Sequence, residues 1–260
     1  MISKHKSNNM LIALYTISKK EIMRYVVIWP QTILTPVIST LIYYLLFSNI
    51  FRELKFDNAV FLNCDQFICT GLIIMQGILT SYKSTSFTIM NGKLEKTLGE
   101  LFIAPITSWA LILGYIISGT LRAIITCSIL LFAFSFVTEG IVCISAFSIL
   151  ILAAMCFSAL GLMNGLYSKN FDMLVSTQSL VLSPLIYLGG VFYPVNKMTL
   201  FLQNMNNYNP VFYITQSYRA AILGDNVSTI FISTSAFFVF SCMSILLFLE
   251  YRFEQIRETK

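Results

Sequence analysis

Six stretches of the 260-residue chain are long and apolar enough to cross a bilayer: residues 26–51, 61–81, 108–137, 145–167, 173–193 and 229–249. A span needs about 20 mostly apolar residues, and in hydrocarbon every backbone N–H and C=O must bond within its own helix or a closed barrel. The reading is therefore an all-α integral membrane protein with six transmembrane helices, and little chain is left for a soluble domain. Composition agrees, since 57% of residues are apolar and 11% charged, against roughly 25% charged in soluble domains. The first apolar run begins near Val26 with no small-residue cleavage site behind it, so the first span is expected to stay rather than be removed as a signal peptide.

Orientation follows from the basic residues. With the N-terminus inside, the segments between spans place twelve Lys and Arg in the cytoplasm and four outside, with Arg122 inside a span. The excess predicts cytoplasmic termini at both ends. The net charge of +5 is then a topological signal and points to no nucleic acid partner. Within residues 1–25, the stretch 10–25 mixes Leu11, Leu14, Tyr15 and Ile22 with Lys19, Lys20 and Arg24. That pattern predicts a helix lying along the lipid headgroups, with a frayed basic tail as the alternative. The six cysteines (Cys64, Cys69, Cys127, Cys143, Cys156, Cys242) form no C-x-x-C pair and His5 is the one histidine, so no metal site is expected. Small apolar packing accounts for most of these thiols, with a Cys64–Cys69 disulfide near the outer face as the less favoured reading.

The chain has no energy source of its own. The nearest approach to a phosphate-binding loop, Gly92-Lys93, has Phe87 where the first glycine belongs and Leu94 in place of the hydroxyl residue. Proton-driven carriers commonly hold Asp, Glu or His inside their spans; here Asp65, Glu139 and Glu250 lie near span ends. No convergent nucleophile, base or metal set suggests an enzyme. Energy, if used, must come from a partner.

Two segments look built for something other than spanning. In 91–105, Leu94, Leu98, Leu101 and Phe102 fall at i, i+4, i+7 and i+8, with Lys93, Glu95, Lys96 and Glu100 on the other face. The spacing predicts a cytoplasmic amphipathic helix, begun by Asn91 and stopped by Pro105, that enters a partner's groove or lies on the bilayer. Residues 189–224 follow the fifth span outside. Their polar run 203–209 is too wet to cross, while Phe192, Tyr193, Phe201, Leu202, Phe212 and Tyr213 are too apolar for a free loop. Short re-entrant helices over 194–224, broken at Gly189, Gly190, Pro194 and Pro210, reconcile the two and suggest an outer gate.

Arg122 stands in the third run. A helix entering near Leu111 reaches it after about 16 Å, close to the midplane, where an arginine costs about 2.5 to 3.5 kcal/mol to insert. The expectation is a buried polar partner or a place on a water-filled path between protomers, against snorkelling or a plain backbone hydrogen bond.

The order of "KEIMRYVVIWPQT", "GELFIAP", "LILGY" with Arg122, "FSALGLMNGLYSKNFD", "LSPLIYLGGVFYP" and "NPVFYITQSYRAAILG" resembles the ABC-2 type exporter permeases of bacterial inner membranes, from about Lys20 to Gly224. The resemblance implies a permease that forms a homodimer in the lipid bilayer and recruits two ATP-binding cassette subunits. ATP and magnesium then bind in the partner subunit, and this chain holds no cofactor. The helix 91–105 would be the coupling element, with Glu100 at the family's acidic position before an apolar-Pro ending. Residues 10–25 map to an interfacial helix and 192–222 to outer re-entrant helices. One departure is "VNKMTLFLQN" after "GVFYP", where the family often carries a Pro and a Trp. Such permeases export polysaccharides, lipid-linked polymers, drugs or other small molecules. The reading from another class is an integral-membrane assembly or scaffold protein without transport of its own.

Overall fold

A computed structural model describes residues 2–53, 64–103, 107–138, 144–193 and 199–223. The expected sixth span, 229–249, and Pro194 lie outside these residues. The described chain is all-helical: α1 (Ile2–Val27), α2 (Thr35–Glu53), α3 (Cys64–Leu94), α4 (Thr97–Ile103), α5 (Ser108–Ser135), α6 (Ile144–Tyr167), α7 (Phe171–Thr177), α8 (Ser183–Leu188), α9 (Leu200–Asn206) and α10 (Pro210–Leu223). Wider π turns, Pro30–Leu34 and Gln178–Leu182, lead into α2 and join α7 to α8.

Four helical stretches among the described residues are long and apolar enough to cross a membrane: Pro30–Ile50, Ser108–Ser135, Ile144–Tyr167 and Phe171–Leu188. They correspond to four of the six expected spans. The fifth stops before the expected 193, because a tight turn at Gly189 and Gly190, the latter with φ of 70°, ends α8. The helix through expected span 61–81 is α3, which runs on to Leu94 and is the axis of the molecule.

Apolar side chains on most sides of α3, among them Ile68, Leu72, Ile73, Ile74 and Ile78, are buried almost completely. A helix apolar all round belongs inside a bundle, and α3 packs against α2, α5, α6 and α10. Small residues bring the central trio of α3, α5 and α6 together. A Cβ on Gly161 would lie 2.3 Å from the Tyr82 carbonyl oxygen, so only glycine lets α6 approach α3 that closely. Hydroxyls seal the contact: Thr85 Oγ1 donates to Ser158 O (2.8 Å) and Ser158 Oγ to Ile116 O (3.1 Å). Such short approaches and interhelical hydrogen bonds hold helices together where lipid competes for apolar contact.

Two cores stack along this trio. One gathers Tyr44, Leu72, Phe134, Leu150, Ile186, Val211 and Tyr218 from α2, α3, α5, α6, α8 and α10. The other gathers Ile17, Ile89, Leu98, Leu111, Ile112, Tyr115 and Leu162 from α1, α3, α4, α5 and α6. The apolar start of α5 therefore packs against α1 and α4 of its own chain.

Candidate functional site

The second core ends in a cluster of charge. Glu21 on α1 is 4% exposed and Arg122 on α5 is 6% exposed. Arg122 Nη2 lies 2.9 Å from Glu21 Oε2 and 2.8 Å from the Glu21 carbonyl oxygen, and Nη1 donates to Ser84 Oγ on α3 (2.9 Å). Arg24 reaches the same carboxylate at 3.5 Å and donates to Thr88 Oγ1 (3.0 Å), whose hydroxyl donates to Glu21 Oε2 (3.2 Å). The Arg122 guanidinium sits 5.3 Å from the centroid of the Tyr25 ring, and the Tyr25 hydroxyl bonds Thr126 Oγ1 at 2.9 Å. One carboxylate thus ties α1, α3 and α5 into a unit.

α1 is helical throughout the expected 10–25. Its buried stripe is Ile17, Glu21 and Tyr25, while Tyr15 is 66% exposed. Ile17 packs on Gly114 and Tyr25 on Thr126, so the helix climbs alongside α5. Counting apolar residues missed the face because its central member is a carboxylate.

The bond to Ser84 also locates the Arg122 guanidinium along α3. Between Asp65 and Lys83, α3 carries no charged residue. At 1.5 Å per residue, Ser84 lies about 28 Å from Asp65, close to one hydrocarbon thickness of about 30 Å. Hydrogen-bonded to Ser84, Arg122 belongs at the end of that uncharged stretch and not at its middle. The first turns of α5 are apolar because they enter the second core, which shifts the register that hydropathy alone suggests.

The expected single helix over 91–105 is two. α3 continues through Leu94, Lys96 adopts the left-handed conformation (φ 60°), and α4 starts at Thr97. The turn folds α4 back so that Leu98 sits on Gly92, where a Cβ would be 3.0 Å from the leucine Cγ. Leu98 is 5% exposed in its own chain's core and Leu101 packs against that core, whereas Leu94 is 60% exposed, and Glu100 is exposed. The three leucines therefore do not share one free face. The side chain of Phe102 and the residues 104–106 lie outside the described residues. Beside the turn, Lys93 Nζ donates to the carbonyls of Leu166 and Ser168, joining the ends of α3 and α6.

At the far end of α3 stands a second buried arginine, which the sequence reading passed over. Arg219 on α10 is 4% exposed. Nη1 donates to Gly190 O (2.9 Å), Nη2 to Val191 O (3.1 Å) and Phe67 O (3.2 Å), and Nε to Thr70 Oγ1 (3.4 Å). Its guanidinium carbon lies 3.5 Å from the centroid of the Phe67 ring. The clamp fastens the Gly189–Val191 turn and α10 to α3. Gly71 makes room, since a Cβ there would lie 2.3 Å from Val191 O. A signal was available: an arginine in "SYRAAIL", amid an apolar helix, needs a partner for the same reason as Arg122.

The expected outer-gate residues meet around this clamp. Phe192, 9% exposed, stacks on Phe47 of α2 with centroids 4.4 Å apart and also meets Tyr43 and Tyr187. The Tyr193 hydroxyl donates to Tyr187 O (2.9 Å). Gly189 faces Val211, and Asn209, just before Pro210, donates to Leu185 O (2.7 Å) and accepts from the Val211 N–H. Short helices α9 and α10 occupy part of the expected 194–224 region, and α10 packs on α3, α6 and α8. Among the described residues no three His, Cys, Asp or Glu side chains converge, and Cys69, Cys127 and Cys156 are buried thiols outside any disulfide.

Comparison with known proteins places this architecture. A family model described as "ABC-2 type transporter" matches residues 12–223. The chain is 35% identical over 219 residues to the inner membrane transport permease YadH of Escherichia coli K12, covering 83% of this chain and 84% of that one. It is 28% identical over 151 residues to nodulation protein J of Neorhizobium galegae, covering 58% and 53%. Over 163 residues it is 24% identical to the "probable multidrug ABC transporter permease YbhR" of E. coli K12, covering 61% and 44%.

Proposed function

The chain belongs to the ABC-2 type transporter family, and from that premise we propose that it is the membrane-spanning subunit of an ATP-driven exporter in a bacterial inner membrane. It forms the path, and a separate ATP-binding cassette subunit binds ATP with magnesium and does the work. The observation that carries this reading is the family match over residues 12–223. In support, the spans carry no titratable relay and the sequence holds no phosphate-binding loop. Two copies of the chain with two ATPase subunits complete the transporter, with both termini in the cytoplasm.

In this reading the ATPase docks at the turn between α3 and α4, through exposed Leu94, Glu95, Lys96 and Glu100. Leu98 and Leu101 instead fasten α4 to the second core, so movement of the docked turn passes into α5 and, through Glu21 and Arg122, into α1. A ligand shifts an equilibrium only by its differential affinity for two states. The ATPase cycle must therefore favour one arrangement of these packed elements over another.

Co-purification with the ATPase subunit and ATP hydrolysis in proteoliposomes test the assignment. Leu94→Asp and Glu100→Lys should leave the permease folded and reduce stimulated hydrolysis to the level of the free ATPase. Hydrolysis at the wild-type level in both variants would overturn docking at this turn.

A further inference from the structure

Among the described residues, two of the four candidate spans bury little of their surface, although Tyr44 and Ser48 of α2 bond Asp65 of α3. In Pro30–Ile50 and Phe171–Leu188, 17% of the most apolar window is buried, against 50% in Ser108–Ser135 and 61% in Ile144–Tyr167. Among the described residues these two spans also contain the two π turns. The Thr35 N–H bonds Pro30 O, and the Ser183 N–H bonds Gln178 O, each spanning five residues. Each π segment ends two residues before a proline, Pro36 in one and Pro184 in the other, and the sequence repeats as Leu34-Thr35-Pro36-Val37-Ile38 and Leu182-Ser183-Pro184-Leu185-Ile186. Proline lacks an N–H, and its ring collides with the carbonyl four residues back, so the preceding turn widens. Prolines and π turns are where helices bend.

Thr32 in the first turn shares the Tyr25 hydroxyl with Thr126. Thr126 is one turn beyond Arg122, and the adjacent Cys127 lies against Ile73 and Gly77 of α3. Phe171, seven residues before the second turn begins, packs on Phe87 of α3 with centroids 5.9 Å apart. Beyond the turns the arms meet through Phe192, which touches Tyr43 and Phe47 of α2 and Tyr187 of α8. The central trio has no such freedom, given its backbone contacts at Gly161 and Gly165.

We propose that the arms Thr35–Glu53 and Ser183–Tyr193 swing together about the paired π turns to open the path outward, while α3, α5 and α6 stay fixed. Arg219, bonded to the Gly190 and Val191 carbonyls, holds the arms closed. This device rests on the reading of the chain as an ATP-driven permease. Removing either proline restores an N–H to the helix and should straighten the hinge without harming the fold.

The test is double electron–electron resonance on the full chain with its ATPase subunit in nanodiscs, in a cysteine-depleted background that retains ATP hydrolysis. Spin labels are placed at exposed Leu45 or Tyr187 on the arms and at exposed Phe132 on α5. Wild type should shift both arm distances between the nucleotide-free and vanadate-trapped states. Pro36→Ala and Pro184→Ala should each reduce the shift in both arms, since the arms move as one, and the double variant should lose most of it. A full shift in the double variant, or a single variant that stills one arm alone, overturns the proposal. Static wild-type arms during ongoing hydrolysis also overturn it. Hydrolysis that ignores the permease altogether instead strikes the permease reading beneath it.

Discussion

The two buried arginines make the instructive comparison. Arg122 is 6% exposed and Arg219 4%, yet their charges are met in opposite ways. Arg122 shares the buried carboxylate of Glu21, whereas the hydrogen bonds of Arg219 go to three backbone carbonyls and a hydroxyl, with an aromatic ring beneath. Ion pairs removed from water are sensitive to loss of either member, because the survivor keeps its desolvation cost without its compensation. Carbonyl acceptors are neutral and hold a second lone pair, so loss of Arg219 leaves no bare charge behind, as loss of Glu21 does. The inner cluster is a fixed joint between α1, α3 and α5, and the outer one suits a latch.

The widest gap should appear on removing the inner carboxylate. Glu21→Ala leaves Arg122 buried without its anion and should destabilise the protein by about 3 to 5 kcal/mol, read as a lowered thermal midpoint in detergent. The pair Glu21→Met with Arg122→Met should recover much of that loss, since a matched apolar replacement of a buried ion pair is often neutral or better. Additive losses in the double variant would show that the joint is not a coupled pair.

At the outer clamp, Arg219→Leu should cost less, about 1 to 3 kcal/mol, because it leaves neutral carbonyls short of a donor. A loss as large as that of Glu21→Ala would erase the distinction between joint and latch. Gly71→Ala tests the same contact by sterics, and overpacking of this kind costs about 1 to 3 kcal/mol. The Val191 carbonyl must retreat from α3, so the substitution should loosen the Gly189–Val191 turn, seen as faster amide exchange there with α1 unchanged. The smallest effect is expected at Lys96, which holds a left-handed conformation that costs an ordinary residue about 1 to 2 kcal/mol. Lys96→Gly relieves that strain but frees the unfolded chain, so the thermal midpoint should hold or rise slightly.

Much of the fold was legible along the chain. Four expected spans coincide with helices that start and stop within a few residues of their apolar runs, apart from the fifth, which Gly189 and Gly190 end early. Short helices were expected over 194–224 from the conflict between the wet run at 203–209 and its apolar neighbours, and α9 and α10 are helices there. The amphipathic pattern at 91–105 was misleading for a specific reason. Helical spacing continues numerically across Glu95 and Lys96, but a left-handed residue between Leu94 and Leu98 turns the two leucines to different surroundings.

The sequence by itself determined that this chain spans a membrane, that its spans are helices, and that the charge at Arg122 has to be answered, by a buried partner, a water-filled path or snorkelling. These follow from local quantities, namely the length of an apolar run and the cost of a charge within it. Which group answers that charge is not local. Glu21 lies 101 residues from Arg122, and the partners of Arg219 lie from 28 to 152 residues away. Only the tertiary structure, by fixing how far α1 climbs along α5 and how closely glycines let α3 receive its neighbours, decided where those charges sit and what answers each of them.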